Sequence, residues 1–76
     1  MYYYMICNMP DVELFHKQCV ALEKHLPGLE KRELLTDVDG SQIQIYRFRG
    51  RKIVVKNSYY LQEVSVESEE ELSHWF

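Results

Sequence analysis

The sequence has few of the residues that interrupt or cross-link a folded chain. It contains 3 glycines, 2 prolines and 2 cysteines in 76 residues. Three glycines are too few for a glycine-rich phosphate-binding loop, and two cysteines make no disulfide framework. The chain also lacks a basic leader typical of a signal peptide and any apolar run near the roughly 20 residues that span a bilayer. These absences predict a cytoplasmic protein without a membrane segment.

The composition is that of one small globular domain. Hydrophobic residues make up 46% of the chain and charged residues 28%, which argues against disorder. A chain of this length holds one hydrophobic core, so we expect a single domain over residues 1–76. Small cores leave a thin margin of stability, which favours self-association. The formal net charge of −3 does not favour a general nucleic-acid binder.

The first half of the chain predicts one strand and one long amphipathic helix. The aromatic-rich segment 2–7 is typical of a strand, and Asn8 and Pro10 mark the start of the helix. Apolar residues then recur at spacings of three and four, which places them on one helical stripe. Pro27 and Gly28 end the helix. The stripe consists of Val12, Phe15, Cys19, Leu22 and Leu26.

The second half predicts antiparallel strands joined by tight turns. Asp39 with Gly40, and Gly50 with Arg51, each suit a two-residue hairpin turn. A third reversal is expected at residues 57–59. The predicted strands cover residues 33–38, 41–49, 52–56 and 60–66.

The strand 41–49 has apolar residues on both of its faces. Ile43 and Ile45 share one face by alternation, whereas Tyr46 and Phe48 share the other. Two interpretations remain open, a bulge at this point or a strand that is covered on both faces.

The last residues predict a short second helix. Ser68 followed by Glu71 matches a capping box, and Leu72, Trp75 and Phe76 follow with helical spacing. The predicted order is therefore β-α-β-β-β-β-α, an α+β fold in which an antiparallel meander packs both helices on one face. The first strand can lie at the centre or at an edge of the sheet, and it can pair in parallel with a neighbour through a right-handed crossover.

No arrangement of reactive side chains matches a known catalytic or metal site. Cys19 and His16 lie one helical turn apart, with Cys7 and His25 nearby in sequence. Cys19 falls in the middle of the apolar stripe, and the spacing fits no zinc finger. A small cysteine or metal protein is therefore the least favoured alternative. We expect no enzymatic activity, no cofactor and no small-molecule ligand.

The most unusual local feature is a cationic segment, here called the basic hairpin. No acidic residue lies between Gly40 and Gln62. Such a ribbon can contact phosphates or an acidic protein surface, or it can be a solvated edge that discourages aggregation. Five glutamates between residues 63 and 71 balance its charge. The basic hairpin consists of Arg47, Arg49, Arg51, Lys52 and Lys56.

Aromatic side chains near the ends of the predicted elements are too many for a core of this size. Tyrosine and tryptophan are common in interfaces because they combine apolar bulk with a polar group, so Tyr59, Tyr60 and Trp75 are predicted to contact a partner. The sequence thus predicts a non-enzymatic protein-interaction domain that forms homodimers and also uses the basic hairpin. A nucleic-acid-binding module using residues 47–56 is the alternative.

Overall fold

A five-stranded sheet with one helix on one face makes up the computed structural model, which describes residues 1–73. The strands lie in the order β1-β5-β4-β3-β2, and all neighbours are antiparallel. The predicted α+β class, the long helix and the antiparallel sheet are therefore confirmed. The elements are β1 (Tyr2–Cys7), α1 (Val12–His25), β2 (Glu30–Thr36), β3 (Gln42–Phe48), β4 (Arg51–Ser58) and β5 (Glu63–Ser68).

The first strand, β1, lies at an edge of the sheet. It pairs antiparallel with β5, with Tyr4 opposite Val66, so the parallel pairing considered from the sequence is wrong. The reason is the path of α1, which carries the chain across the sheet from the β1 edge to the β2 edge. The chain then returns across the sheet as an antiparallel meander from β2 to β5. β1 therefore lies beside β5, the last strand of that meander.

The helix α1 begins at Val12, two residues after Pro10, and Asp11 forms its N-terminal cap. The Asp11 carboxylate accepts a hydrogen bond from the Leu14 N–H at 3.0 Å, which satisfies a backbone donor of the first turn. Four of the five predicted stripe residues are buried, whereas Val12 is 44% exposed. The helix lies closest to β4. Its buried residues are Phe15, Cys19, Leu22 and, at the C-cap, Leu26.

Residues of β4 also hold the start of α1 in place. The side-chain oxygen of Asn57 accepts a hydrogen bond from the Asp11 N–H at 3.0 Å, and Asn57 is fully buried. Asn57 therefore stays in β4, opposite Gln42. The reversal expected at residues 57–59 lies instead in the loop 59–62.

The turn between β2 and β3 is one residue longer than predicted. The Asp37 N–H donates to the Ser41 carbonyl at 2.8 Å, which closes a loop over residues 38–40. Gly40 adopts φ +90°, the left-handed conformation that follows a type I turn in a three-residue hairpin loop. The sequence signal from Gly40 was correct, but the turn type was wrong.

The turn between β3 and β4 is formed by Arg49 and Gly50 instead of Gly50 and Arg51. Their φ values are 54° and 77°, and positive values at both positions define a type I′ turn, whose twist matches that of paired strands. A non-glycine residue adopts this conformation at a cost of about 1–2 kcal/mol. The guanidinium carbon of Arg49 lies 4.8 Å from the centre of the Phe48 ring, a cation–π contact that offsets part of this cost.

Register in the β3–β4 hairpin follows from this turn. Tyr46 lies opposite Ile53, and all seven pairs run without a shift. The bulge considered for β3 is therefore absent from its pairing with β4. Ile43 and Ile45 do lie on the opposite face from Tyr46, so β3 carries apolar side chains on both faces.

The predicted second helix is not confirmed, because residues 68–72 are not helical and residues 74–76 of its range lie outside the described residues. Ser68, the expected cap, is the last residue of β5 and is fully buried. Its hydroxyl accepts a hydrogen bond from the Glu70 N–H at 2.9 Å, and the Glu69 N–H donates to the Lys52 carbonyl at 3.0 Å. The bond from Glu69 extends the pairing of β5 with β4 by one residue, whereas the bond between Ser68 and Glu70 is of the kind that also caps a helix.

Leu72 nevertheless reaches the core, as its apolar character predicted. Its N–H donates to the Tyr4 hydroxyl at 2.7 Å, and its side chain is 1% exposed. A segment without regular secondary structure therefore places Leu72 in the core, where a helix was expected to do so. Trp75 and Phe76, the remaining apolar residues of the predicted helix, lie outside the described residues.

The core lies between α1 and one face of the sheet. The hydroxyl of Tyr46 donates to the Glu23 carboxylate at 2.5 Å, and Lys31 forms an ion pair with the same carboxylate at 3.4 Å. The hydrogen bond between Tyr46 and Glu23 joins α1 to the centre of β3, and it gives the hydroxyl of a buried tyrosine a partner. The sheet contributes Tyr46, Phe48, Ile53, Val55, Val64 and Val66 to the core.

Candidate interaction surface

The face of the sheet opposite α1 is here called the open face. Side chains alternate along a strand, so the residues between the core positions point away from α1. The one helix found within residues 1–73 covers the other face. The open face carries Tyr3 and Met5 of β1, Glu30, Glu33 and Leu35 of β2, Ile43, Ile45 and Arg47 of β3, Lys52, Val54 and Lys56 of β4, and Glu63, Ser65 and Glu67 of β5.

Three aliphatic side chains form a continuous row on the open face. Leu35 lies opposite Ile43 across β2 and β3, and Ile45 follows two residues further along β3. Leu35 is 49% exposed, and the two isoleucines are half-buried. We call Leu35, Ile43 and Ile45 the aliphatic row. The only sequence signal for it was the presence of apolar residues on both faces of β3.

The structure divides the basic hairpin among three environments. Arg47, Lys52 and Lys56 lie on the open face, Arg49 lies in the turn, and Arg51 follows the turn beside the C-terminal segment. The five cations therefore do not form one surface, although three of them share a face. Tyr46 and Phe48, on the other side of the hairpin, belong to the core.

Two cations of the basic hairpin are paired with the glutamates that follow them in sequence. Lys56 contacts Glu67 at 2.8 Å in the middle of the open face, and both side chains are less than one-third exposed, at 26% and 29%. Arg51 contacts Glu70 at 3.3 Å. These pairs reduce the positive charge that the hairpin presents to a partner.

The remaining cations of the open face lie side by side next to the aliphatic row. Arg47 is directly opposite Lys52, and neither forms an ion pair with a carboxylate of residues 1–73. Both line a shallow depression of about 350 Å³ together with Arg32, Glu33 and Ile45. Arg32 is paired with Glu30 at 3.1 Å. We call Arg32, Arg47 and Lys52 the cationic corner.

The tyrosines predicted to contact a partner lie far from the cationic corner. Tyr59 and Tyr60 belong to the loop between β4 and β5, at the opposite end of the sheet from the Arg49 turn. Tyr60 is 87% exposed, and it lines a groove of about 310 Å³ with Ile43 and Lys56. Tyr60 therefore borders the open face at its other end. Trp75 lies outside the described residues.

The cysteine suggested as a nucleophile or metal ligand is buried in the core. Cys19 is 6% exposed, and this burial raises the pKa of its thiol, with the neighbouring Tyr46 hydroxyl acting in the opposite direction. A raised pKa keeps the sulfur protonated at neutral pH, whereas thiol chemistry requires the thiolate. Within residues 1–73, no group of three or more His, Cys, Asp or Glu side chains is placed to hold a metal ion.

We expect the two thiols to differ in reactivity by at least about 100-fold in the native protein. Cys7, at the end of β1, is half-buried, whereas Cys19 reacts only when the core opens. Titration with Ellman's reagent at pH 8 should show one fast thiol, and Cys7→Ser should remove that phase. A fast reaction of Cys19 in the folded Cys7→Ser variant would contradict its placement in the core.

No protein-family model matches the chain, and neither a curated protein nor a solved structure matches it. Among residues 1–73, no helix combines the length and the apolar character that crossing a bilayer requires.

Proposed function

We propose that this chain is a small non-enzymatic protein-interaction domain that binds an acidic partner segment on its open face. The observation that carries the proposal is the adjacency of the aliphatic row and the cationic corner. Apolar contact supplies binding free energy, about 25 cal/mol per Å² buried, whereas charge selects the partner and accelerates its association. A partner segment that alternates apolar and acidic residues satisfies both parts of this surface.

A protein partner fits the surface better than a nucleic acid does. Nucleic-acid recognition on a sheet relies on exposed aromatic side chains for stacking, and the aromatics of the basic hairpin, Tyr46 and Phe48, point into the core. Ion pairs with Glu67 and Glu70 occupy two of the hairpin cations. The net charge of −3 further weakens attraction to a phosphate backbone.

The proposal includes self-association and a reducing compartment. The free thiols of Cys7 and Cys19 support the cytoplasm as the compartment. Tyr60, at the far end of the open face, is proposed as a rim contact for a partner that extends beyond the aliphatic row.

Neutralising the cationic corner should weaken binding of acidic peptides at least about tenfold, or ~1.4 kcal/mol. The variant is Arg47→Gln with Lys52→Gln, which removes both unpaired cations and leaves the aliphatic row intact. The probes are synthetic 12-residue peptides in which Leu or Phe alternates with Glu or with Lys. Fluorescence anisotropy measures binding at low and at physiological salt.

A matched control removes the same charge elsewhere. Lys17→Gln with Lys24→Gln changes two exposed cations of α1, on the opposite side of the molecule from the open face, and should leave peptide binding unchanged. Equal binding of the acidic and basic peptides, or equal loss in both double variants, would reject the open face as the site. Tight, steeply salt-dependent retention of single-stranded DNA or double-stranded RNA would favour the nucleic-acid alternative.

A further inference from the structure

We infer that β1 is the edge through which two copies of this chain associate, by antiparallel pairing of β1 with β1 of the second copy. The two five-stranded sheets would then join as one continuous sheet around a twofold axis. This inference rests on the proposed interaction role and names a second copy as the partner. It uses a different surface from the cationic corner, so each can be tested without the other.

The two edges of the sheet differ in their protection against strand addition. An edge strand presents unpaired N–H and C=O groups, and charged side chains or bulges are the usual means of blocking it. β2 has both, since four consecutive charged residues begin at Glu30 and its pairing shifts between Lys31 and Leu34. β1 contains no charged residue and no proline. Its pairing with β5 runs without a shift from Tyr2 to Met5, and its one register shift lies at the end of the strand, between Met5 and Cys7.

The side chains of β1 are exposed on both of its faces. Tyr3 and Met5 on the open face are 51% and 58% exposed, and Tyr2 on the helix side is 47% exposed. Cross-strand pairs of aromatic and apolar residues each stabilise a sheet by about 0.2–1 kcal/mol. An added strand would place such pairs on both faces and would bury these side chains at the same time.

The charges near β1 favour a second copy over a charged partner. The nearest carboxylates on the open face, Glu63 and Glu67, are already engaged. The Tyr3 hydroxyl donates to Glu63, and Lys56 pairs with Glu67. Two identical edges can therefore approach without like-charge repulsion, because β1 itself is neutral. A charged partner segment would find no complementary side chain along this strand.

The test compares two lysine substitutions on the two edge strands of the sheet. Met5→Lys in β1 and Leu34→Lys in β2 each change an exposed apolar side chain, at 58% and 49% exposure. Sedimentation equilibrium from about 1 µM to about 500 µM covers the affinities typical of a small interface. We expect the wild type to dimerise. Met5→Lys should weaken dimerisation at least about tenfold through like charges near the twofold axis, and Leu34→Lys, outside the aliphatic row, should leave it unchanged.

Amide hydrogen exchange of the wild type gives a second measurement that needs no variant. Protection of the amides of residues 2–7 should rise with protein concentration, whereas that of β2 (Glu30–Thr36) should not. A strict monomer at the highest concentration, or a dimer weakened by Leu34→Lys and not by Met5→Lys, would overturn the inference. Either result leaves peptide binding by the cationic corner to be judged by its own assay.

Discussion

Replacing Phe15 with alanine is expected to lower the free energy of unfolding by about 3–5 kcal/mol. Phe15 is 1% exposed and lies in the core cluster formed by α1 and the sheet. Removing the Phe15 ring leaves a cavity between α1 and the sheet. Within residues 1–73 a single helix covers the sheet, so no further helix is present to fill this cavity. A chain of this size is stable by only about 4–11 kcal/mol, so the loss is a large share of the total and unfolds the variant if the wild type lies at the low end of that range.

Urea unfolding followed by circular dichroism measures the effect of Phe15→Ala. Val20→Ala is the matched control, because Val20 lies on the same helix and is 60% exposed. The control should change stability by less than about 0.5 kcal/mol. Similar losses in the two variants would contradict the side of α1 that is placed against the sheet.

Leu72→Ala is expected to cost about 2–5 kcal/mol, although the residue lies in a segment without regular secondary structure. Its side chain is 1% exposed, in contact with the core cluster. Its N–H is held by the Tyr4 hydroxyl at 2.7 Å. The C-terminal segment thus joins the core to the edge strand β1, and loss of the leucine side chain should loosen that edge as well.

Two comparisons test this role of Leu72. Leu61→Ala makes the same change at a residue that is 53% exposed and should cost less than about 0.5 kcal/mol. Tyr4→Phe removes the hydroxyl that accepts from the Leu72 N–H and should cost about 1 kcal/mol. A Leu72→Ala variant as stable as Leu61→Ala would show that the segment does not pack as described.

The helix and its buried side were predictable because the spacing of apolar residues along the sequence shows which side of a helix is buried. The spacing of Phe15, Cys19 and Leu22 allows only one face to be apolar, and these residues are buried in the structure. Burial of Leu72 was also predicted from its apolar character. Its conformation was not, because the bond from the Glu69 N–H to the Lys52 carbonyl, which continues the pairing of β5 with β4, joins residues far apart in sequence.

The candidate surface was harder to predict because it depends on strand order and register. The positive charges of Arg47 and Lys52 were evident in the sequence, but their position opposite each other follows from a turn at Arg49 and Gly50. The aliphatic row requires β2 beside β3 in a particular register. The pairing of Lys56 with Glu67 likewise joins two strands, and sequence alone does not indicate which cations remain unpaired.

The position of β1 beside β5 has a consequence for the newly made chain. Tyr2 pairs with Ser68, so β1 leaves the ribosome before β5, the strand with which it pairs, has been made. Contacts between residues so far apart in sequence slow folding. Until β5 and Leu72 have been made, the neutral, tyrosine-rich strand β1 lacks its neighbour in the sheet and its contact with the C-terminal segment. A chaperone that recognises extended apolar segments would bind β1 most readily during this interval.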